Sequence, residues 1–417
     1  MRRYQARWLV PIEGPPVERG AVLIGSDGRI AAAGDASRVP SPPGVAAVDL
    51  EEAALLPGLV NAHTHLELTG FEGRNDEPDF PAWIRRIVAL KAGRSPGEYR
   101  AAARQGLRDC WAGGVTTVAD TGDSGAVIAA LAELGGSGIA YHEVFGPEPA
   151  AAEARFAALV RQVEELRRFE GPRVRLGVSP HAPYSVSGPL YRRVGAWARE
   201  QGLPVAVHLA ESVEESRLLE RGTGGFAQAW QARGIPLPDA ACSPVVWLDR
   251  HGVLGPRTLC IHLVQAGPAD LDLVAARGAA IAHCPRSNRR HGHGTAPLGA
   301  MLERGLRVGV GTDSVASVAP LDLMADLAAA RRLANLGAER ALRLVTLEAA
   351  EALGLGTEIG SLRPGKWGDL AAFRLPGPVD SARLADTLVS RTRADVVLTV
   401  LGGREVWRAG DGSARPE

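Results

Sequence analysis

Two histidines one residue apart, His63 and His65, close the apolar run Pro57-Gly58-Leu59-Val60-Asn61-Ala62. Side chains two apart on a strand point to the same face, so both imidazoles can reach one point from a rigid backbone, as two metal ligands must. Later apolar runs end in residues of the same kind. Val205-Ala206-Val207 leads into His208, with Glu211 three residues on, and Leu259-Cys260-Ile261 leads into His262. Another run ends in His283-Cys284-Pro285, and Val308-Gly309-Val310-Gly311-Thr312 leads into Asp313. A single histidine is usually structural, but a series of them at equivalent positions points to one shared site.

The elements that position these residues follow from the hydrophobic pattern. From about residue 57, apolar strands alternate with amphipathic helices, with strands expected at Val115–Asp120, Gly138–Val144, Val174–Ser179, Pro204–His208, Thr258–His262, Ala279–His283 and Leu306–Asp313. Near-continuous apolar strands joined by helices imply a parallel sheet covered on both faces. With the opening strand, the eight units fit a (β/α)8 TIM barrel, which carries its chemistry at the C-terminal strand ends. A doubly wound sheet is the alternative, but no Gly-x-Gly-x-x-Gly follows any of these strands. Residues 4–56 read as short strands with a hairpin signal at Asp27-Gly28, and strand character returns after about residue 355. Each flank is too small to bury a core alone. The expected organisation is a composite β-sandwich from residues 1–56 and 355–417 around a barrel of residues 57–354.

Composition narrows the function. Lys+Arg and Asp+Glu both number 47, leaving no global field to attract nucleic acid or an anionic membrane. Only Lys91 and Lys366 are lysines. The cysteines, Cys110, Cys242, Cys260 and Cys284, show no C-x-x-C spacing, which argues against a disulfide framework or a cysteine zinc site and suits a reducing cytoplasm. No signal peptide or transmembrane run is recognisable, so a soluble cytoplasmic protein is expected. A homo-oligomer is compatible with the sequence.

Pro-Gly-Leu-Val-Asn-Ala-His-Thr-His, Ser-Pro-His-Ala-Pro-Tyr, Val-His-Leu-Ala-Glu, His-Cys-Pro-Arg-Ser-Asn and Gly-Thr-Asp-Ser occur in that order, before a Leu-Arg-Pro-Gly-Lys-Trp-Gly-Asp-Leu tail. Together they resemble the amidohydrolase superfamily, in its nucleobase-deaminase and triazine-hydrolase branch, over nearly the whole chain. The resemblance implies His63, His65, His208 and Asp313 as ligands of one divalent metal, with Zn²⁺ expected and Fe²⁺ the alternative. Imidazoles plus a carboxylate, with a position left for water, suit either ion. Binuclear relatives bridge two metals with a carbamylated lysine from a central strand. Neither Lys91 nor Lys366 lies on an expected barrel strand, so a single metal is expected.

The resemblance also implies hydrolytic deamination. Asp313 would accept the water's proton, Glu211 would protonate a ring nitrogen, and His262 would orient the oxygen attacking the amine-bearing carbon. For substrate contacts, His181 resembles a family residue that touches base or ribose, and Glu67 would accept ribose hydroxyl protons. His283 would meet the leaving amine or the metal's surroundings, and Trp83 would stack on a base from a roofing loop. Arg289 and Arg290, in the run Arg286–Gly294, would clamp a substrate carboxylate. The combination of Asn-Ala-His-Thr-His-Leu-Glu-Leu, Phe-Pro-Ala-Trp-Ile and His-Cys-Pro-Arg-Ser-Asn resembles the subgroup containing aminodeoxyfutalosine deaminases of menaquinone biosynthesis. Their substrate is an adenine nucleoside bearing a carboxyphenyl ketone. The competing expectations are a deaminase of adenosine, methylthioadenosine or S-adenosylhomocysteine, then a triazine or chloro-hydrolase. A non-catalytic scaffold would be expected to have lost ligands that this chain keeps.

Overall fold

The structure, a computed structural model, describes residues 1–239 and 241–410. Two sheets organise the chain. Strands β1 (Arg2–Leu9), β2 (Val17–Ile24), β3 (Ile30–Asp35), β4 (Ala46–Asp49) and β5 (Ala53–Pro57) come from the N-terminal part. Strands β6 (Leu59–Thr64), β7 (Val115–Gly122), β8 (Gly138–Val144), β9 (Val174–Pro180), β10 (Val205–Leu209), β11 (Thr258–His262), β12 (Ala280–His283) and β13 (Arg307–Val310) follow. The C-terminal part adds β14 (Leu370–Arg374), β15 (Val396–Leu401) and β16 (Arg404–Arg408).

The two chain ends combine in one mixed sheet of order β16-β15-β14-β5-β1-β2-β3. Its β1 is shared, pairing in parallel with β4 through Arg2–Gln5 and with β5 through Trp8 and Leu9. The hairpin expected at Asp27-Gly28 joins β2 to β3, with Gly28 at φ 77°, where a side chain is disfavoured. Residues from both ends, among them Tyr4, Val22, Ile24, Leu55, Leu370, Leu398 and Val400, fill one buried cluster. Neither end supplies that cluster by itself. The expected C-terminal segment 355–417 is described as far as Gly410.

Strands β6 to β13 form the second sheet, in sequence order, with parallel pairing between neighbours from β7 to β13. The barrel closes where Thr64 forms a parallel bridge with Asp313, and the N–H groups of Thr312 and Asp313 donate to the His63 carbonyl at 3.0 and 3.1 Å. Gly311 makes that approach feasible: a Cβ there would lie 2.7 Å from the His63 nitrogen. The strands are short and apolar, and β6, β10, β11 and β12 are buried throughout. This is the pattern of strands covered on both faces.

By internal packing the chain divides into two compact units. One comprises Met1–Asn61, Leu107–Thr117 and the chain from Leu321 onward; the other comprises Ala62–Gly106 and Val118–Pro320. The expected boundary near residue 354 therefore differs from the packing division. Helices Leu323–Leu333 and Ala338–Arg343 pack against helix Ser381–Val389, a tertiary contact that no periodicity announces. Among the described residues, no helix is long and apolar enough to cross a membrane.

Candidate active site

The ends of β6, β10 and β13 bring four side chains together. His65 Nε2 lies 3.3 Å from His208 Nε2. Asp313 Oδ1 lies 3.5 Å from His65 Nε2 and 3.7 Å from His63 Nε2. One ring nitrogen from each histidine falls within 4.8 Å of the other two. Burial pushes all three imidazoles below their ordinary range, His65 to about 4, so they are neutral near pH 7 and offer lone pairs. Burial alone would raise Asp313, but the facing imidazoles, His63 foremost, hold it well below the usual carboxylate range.

Neighbouring groups fix these orientations. His65 Nδ1 lies 2.9 Å from the Thr121 carbonyl and His208 Nδ1 lies 3.3 Å from the His181 carbonyl. Donation there leaves each Nε2 lone pair for a cation. Ser287 donates to Asp313 Oδ2 at 2.5 Å, which turns Oδ1 toward the imidazoles. Three neutral imidazoles and one ionised carboxylate facing one point fit a divalent cation such as zinc.

Sharp turns at the strand ends aim the candidate groups. Ala210, His262 and Asp313 adopt φ of 48°, 76° and 58°, the left-handed region that side chains disfavour, at a cost of about 1–3 kcal/mol each. The turn at Ala210 is held by Glu215, whose two oxygens accept the N–H groups of Ala210 and Glu211, each at 2.9 Å. Ser212 caps the helix Val213–Arg221 that carries Glu215. Glu211 thus faces His262 Nε2 at 3.5 Å. Burial would raise its carboxyl, but His262 and His293 hold it down at about 2, so Glu211 starts ionised.

A cavity of about 700 Å³ opens over these groups, lined by His65, His208, Glu211, His262 and Asp313 among others. That volume suits a drug-sized ligand. His181 and Trp83 also line it; His181 Nδ1 lies 2.7 Å from Ser185 Oγ. Helix Phe80–Ala92 borders the cavity, its Phe80 and Trp83 rings packing on His293 and His291 at 4.5 Å each.

Other expected contacts fall elsewhere. Glu67 is buried and already engaged: Oε1 accepts from Lys91 Nζ at 2.7 Å, and Oε2 accepts from Ser124. Its expected place at a ribose is therefore taken by a structural ion pair. Lys91 sits on helix Phe80–Ala92, off the barrel strands, and also bonds Asp123 at 2.6 Å. His283 is fully buried and outside the cavity lining, and neither ring nitrogen has a hydrogen-bond partner among the described residues. Arg289 and Arg290 are exposed and outside the lining. The short helix Pro285–Arg290 buries Ser287 and Asn288 instead, so the clamp expected of the two arginines is not formed there. Arg85, Arg155 and Arg233 stand on the cavity wall in their place.

Sequence reasoning also passed over Tyr184, whose O–H points to Glu211 Oε2 at 3.4 Å, and grouped His293 with the arginine clamp, whereas its Nε2 lies 3.3 Å from Glu211 Oε1. Asn288 Oδ1, 2.9 Å from His262 Nδ1, and Ser287 went unassigned as well. The Pro-Arg-Ser-Asn motif carried a signal for the last two, and the Ser-Pro-His-Ala-Pro-Tyr motif one for Tyr184.

A parallel barrel with three imidazoles and a carboxylate converging at its strand ends has the donors to hold a divalent metal there. The chain belongs to the amidohydrolase family, whose model matches residues 54–406, and is accordingly an enzyme that hydrolyses C–N bonds. It is 35% identical over 329 residues to an aminodeoxyfutalosine deaminase of Deinococcus radiodurans, covering 75% of this chain and 76% of the relative. It is 33% identical over 415 residues to a 5-methylthioadenosine/S-adenosylhomocysteine deaminase of Nitratidesulfovibrio vulgaris, covering 94% and 89%. Among solved structures, a Xanthomonas campestris adenosine deaminase with bound zinc aligns with a TM-score of 0.83 at 28% identity over 97% of this chain and 92% of that one.

Proposed function

We propose that the protein is a hydrolytic deaminase of an adenine nucleoside, aminodeoxyfutalosine in menaquinone biosynthesis, acting in the cytoplasm. The observation that carries the reaction is the ionised Glu211 beside the convergent ligands, with His262 facing it. Glu211 takes a proton from the attacking water and passes it to the ring nitrogen next to the amine-bearing carbon. The carbon becomes tetrahedral. Asp313 takes the proton that remains on the attacking oxygen and passes it to the amine, the C–N bond breaks, and ammonia leaves a carbonyl behind. His63, His65, His208 and Asp313 would hold the metal. When bound, such an ion lowers the pKa of a coordinated water to about 7, supplying the nucleophile near neutrality.

The finer substrate reading rests on the cavity wall. About 700 Å³ exceeds what an adenine ring fills. Phe80, Tyr184 and Phe226 form an aromatic wall, with Tyr184 stacked on Phe226 at 4.2 Å. With Arg85, Arg155 and Arg233 on the lining, this wall suits an aromatic carboxylate. The Deinococcus radiodurans relative supports the same substrate. The free cysteines suit a reducing compartment. The relative from Nitratidesulfovibrio vulgaris favours a second reading, a methylthioadenosine or S-adenosylhomocysteine deaminase. Comparing kcat/KM for aminodeoxyfutalosine, methylthioadenosine and S-adenosylhomocysteine separates the two, because only the first carries an aromatic carboxylate. Equal values, or a preference for either of the other two, would reject the aminodeoxyfutalosine assignment.

A further inference from the structure

We propose that Glu143 receives the sugar of the substrate, its carboxyl group accepting a hydrogen bond from the 2′,3′-hydroxyl edge of the ribose. This rests on the reading of the substrate as an adenine nucleoside. Glu143 is the penultimate residue of β8 and pairs with Ser179 of β9, at the C-terminal strand ends where a parallel barrel carries its chemistry. His181 follows β9, and its backbone N–H donates to the Val144 carbonyl at 3.3 Å. Glu143 and His181 therefore stand on neighbouring strand ends. A carboxyl oxygen of Glu143, a ring nitrogen of His181 and one of His208 lie within 4.8 Å of one another, and all three residues line the cavity.

The carboxyl group is built into the wall yet only partly engaged. Glu143 is 5% exposed and the Thr121 side chain donates to it, but Oε1 has no hydrogen-bond partner among the described residues. A buried acceptor left unmet is destabilising, and on a cavity wall it is open to a donor on the ligand. Each other carboxylate on that wall is already committed. Asp123 accepts from Lys91, Glu148 accepts from Arg233, and Glu211 and Asp313 belong to the reaction centre. Glu67, first expected at the ribose, is held by Lys91 and Ser124. Burial raises the Glu143 carboxyl to about 8 while Lys91 pulls it down, and in either protonation state an oxygen remains to accept from a hydroxyl. The chemistry of the nucleoside decides what meets it. The adenine ring nitrogens beside the amine and in the five-membered ring are acceptors, and the amine itself must face Glu211 and the ligand cluster. On the base and sugar, the ribose hydroxyls are the donors that remain.

The test compares zinc-loaded full-length wild type with Glu143→Leu, which removes the acceptor, and Glu143→Gln, which keeps an amide oxygen. Two pairs of probes are used: adenosine and 2′,3′-dideoxyadenosine for kcat/KM of deamination, and inosine and 2′,3′-dideoxyinosine for Kd by calorimetry. In the wild type, loss of the hydroxyls should lower kcat/KM and weaken inosine binding about ten- to a hundredfold, the scale of a hydrogen bond to a charged group. Glu143→Leu should narrow both ratios to within about threefold, because the contact is then missing from either side of the comparison. Its zinc content should be unchanged, and Glu143→Gln should restore part of the discrimination. A merely structural role would weaken both members of each pair equally and leave the ratios intact. Absence of any deamination would refute the deaminase reading, while the inosine pair, which needs no turnover, still judges the contact. A wild type indifferent to the hydroxyls, ratios unchanged in Glu143→Leu, or loss of zinc from that variant would each overturn the proposal.

Discussion

Replacing Lys91 by methionine removes one cation from a site where its absence is costly. Lys91 Nζ bonds Glu67 Oε1 at 2.7 Å and Asp123 Oδ1 at 2.6 Å, with side chains 17% and 1% exposed for the lysine and Glu67. Burial pushes the Glu67 carboxyl up, but Lys91 outweighs it and holds the group at about 2 against 4.5 for the unperturbed residue. Breaking a buried pair by removing one partner costs ~3–5 kcal/mol. Because the folded-state value is depressed, this stability is fully present above the unfolded value near 4.5 and is lost as pH falls toward 2. Urea unfolding of Lys91→Met should therefore show a loss of ~3–5 kcal/mol at pH 7 that shrinks below pH 4.5. The double variant Lys91→Met/Glu67→Gln should regain much of it. A loss under about 1 kcal/mol at pH 7, or one independent of pH, would refute the reasoning and free Glu67 for a role at the substrate.

Three further outcomes follow from the site. Glu211→Gln should retain stoichiometric zinc by elemental analysis while kcat falls by about 10²–10⁴, the usual contribution of a positioned acid–base group. His208→Ala should lose metal and activity together, read from the same analysis and the deamination rate. Ser287→Ala removes the hydrogen bond that turns Asp313, and zinc affinity measured by competition with a chelator should drop by about 10–100-fold.

The strand ends were legible because barrel chemistry demands them: the runs of β6, β10, β11, β12 and β13 lead into histidine or aspartate, and His63 and His65 share a face by simple alternation. The joining of the chain ends was legible too, since neither flank could bury Tyr4 or Leu398 alone. The less legible features depend on where loops return. Lys91 and Glu67 meet across 24 positions and different elements, so the scarcity of lysine signalled importance but no partner. Arg289 and Arg290 looked like a clamp in a linear run. The turn of the helix Pro285–Arg290 instead commits Ser287 and Asn288 to the interior and leaves the arginines in solvent. His293 reaches Glu211 only because the loop folds back under Phe80, and the His-Gly-His-Gly run marks an unusual segment without saying which group it serves.

The most direct test of the central claim is the fate of nitrogen and oxygen when zinc-loaded protein meets aminodeoxyfutalosine in water enriched in oxygen-18. Hydrolytic deamination predicts one ammonia released per nucleoside consumed and one heavy oxygen in the new ring carbonyl by mass spectrometry. A product that keeps its nitrogen or gains no heavy oxygen would contradict the account. So would the absence of conversion of aminodeoxyfutalosine and every other adenine nucleoside by metal-loaded protein.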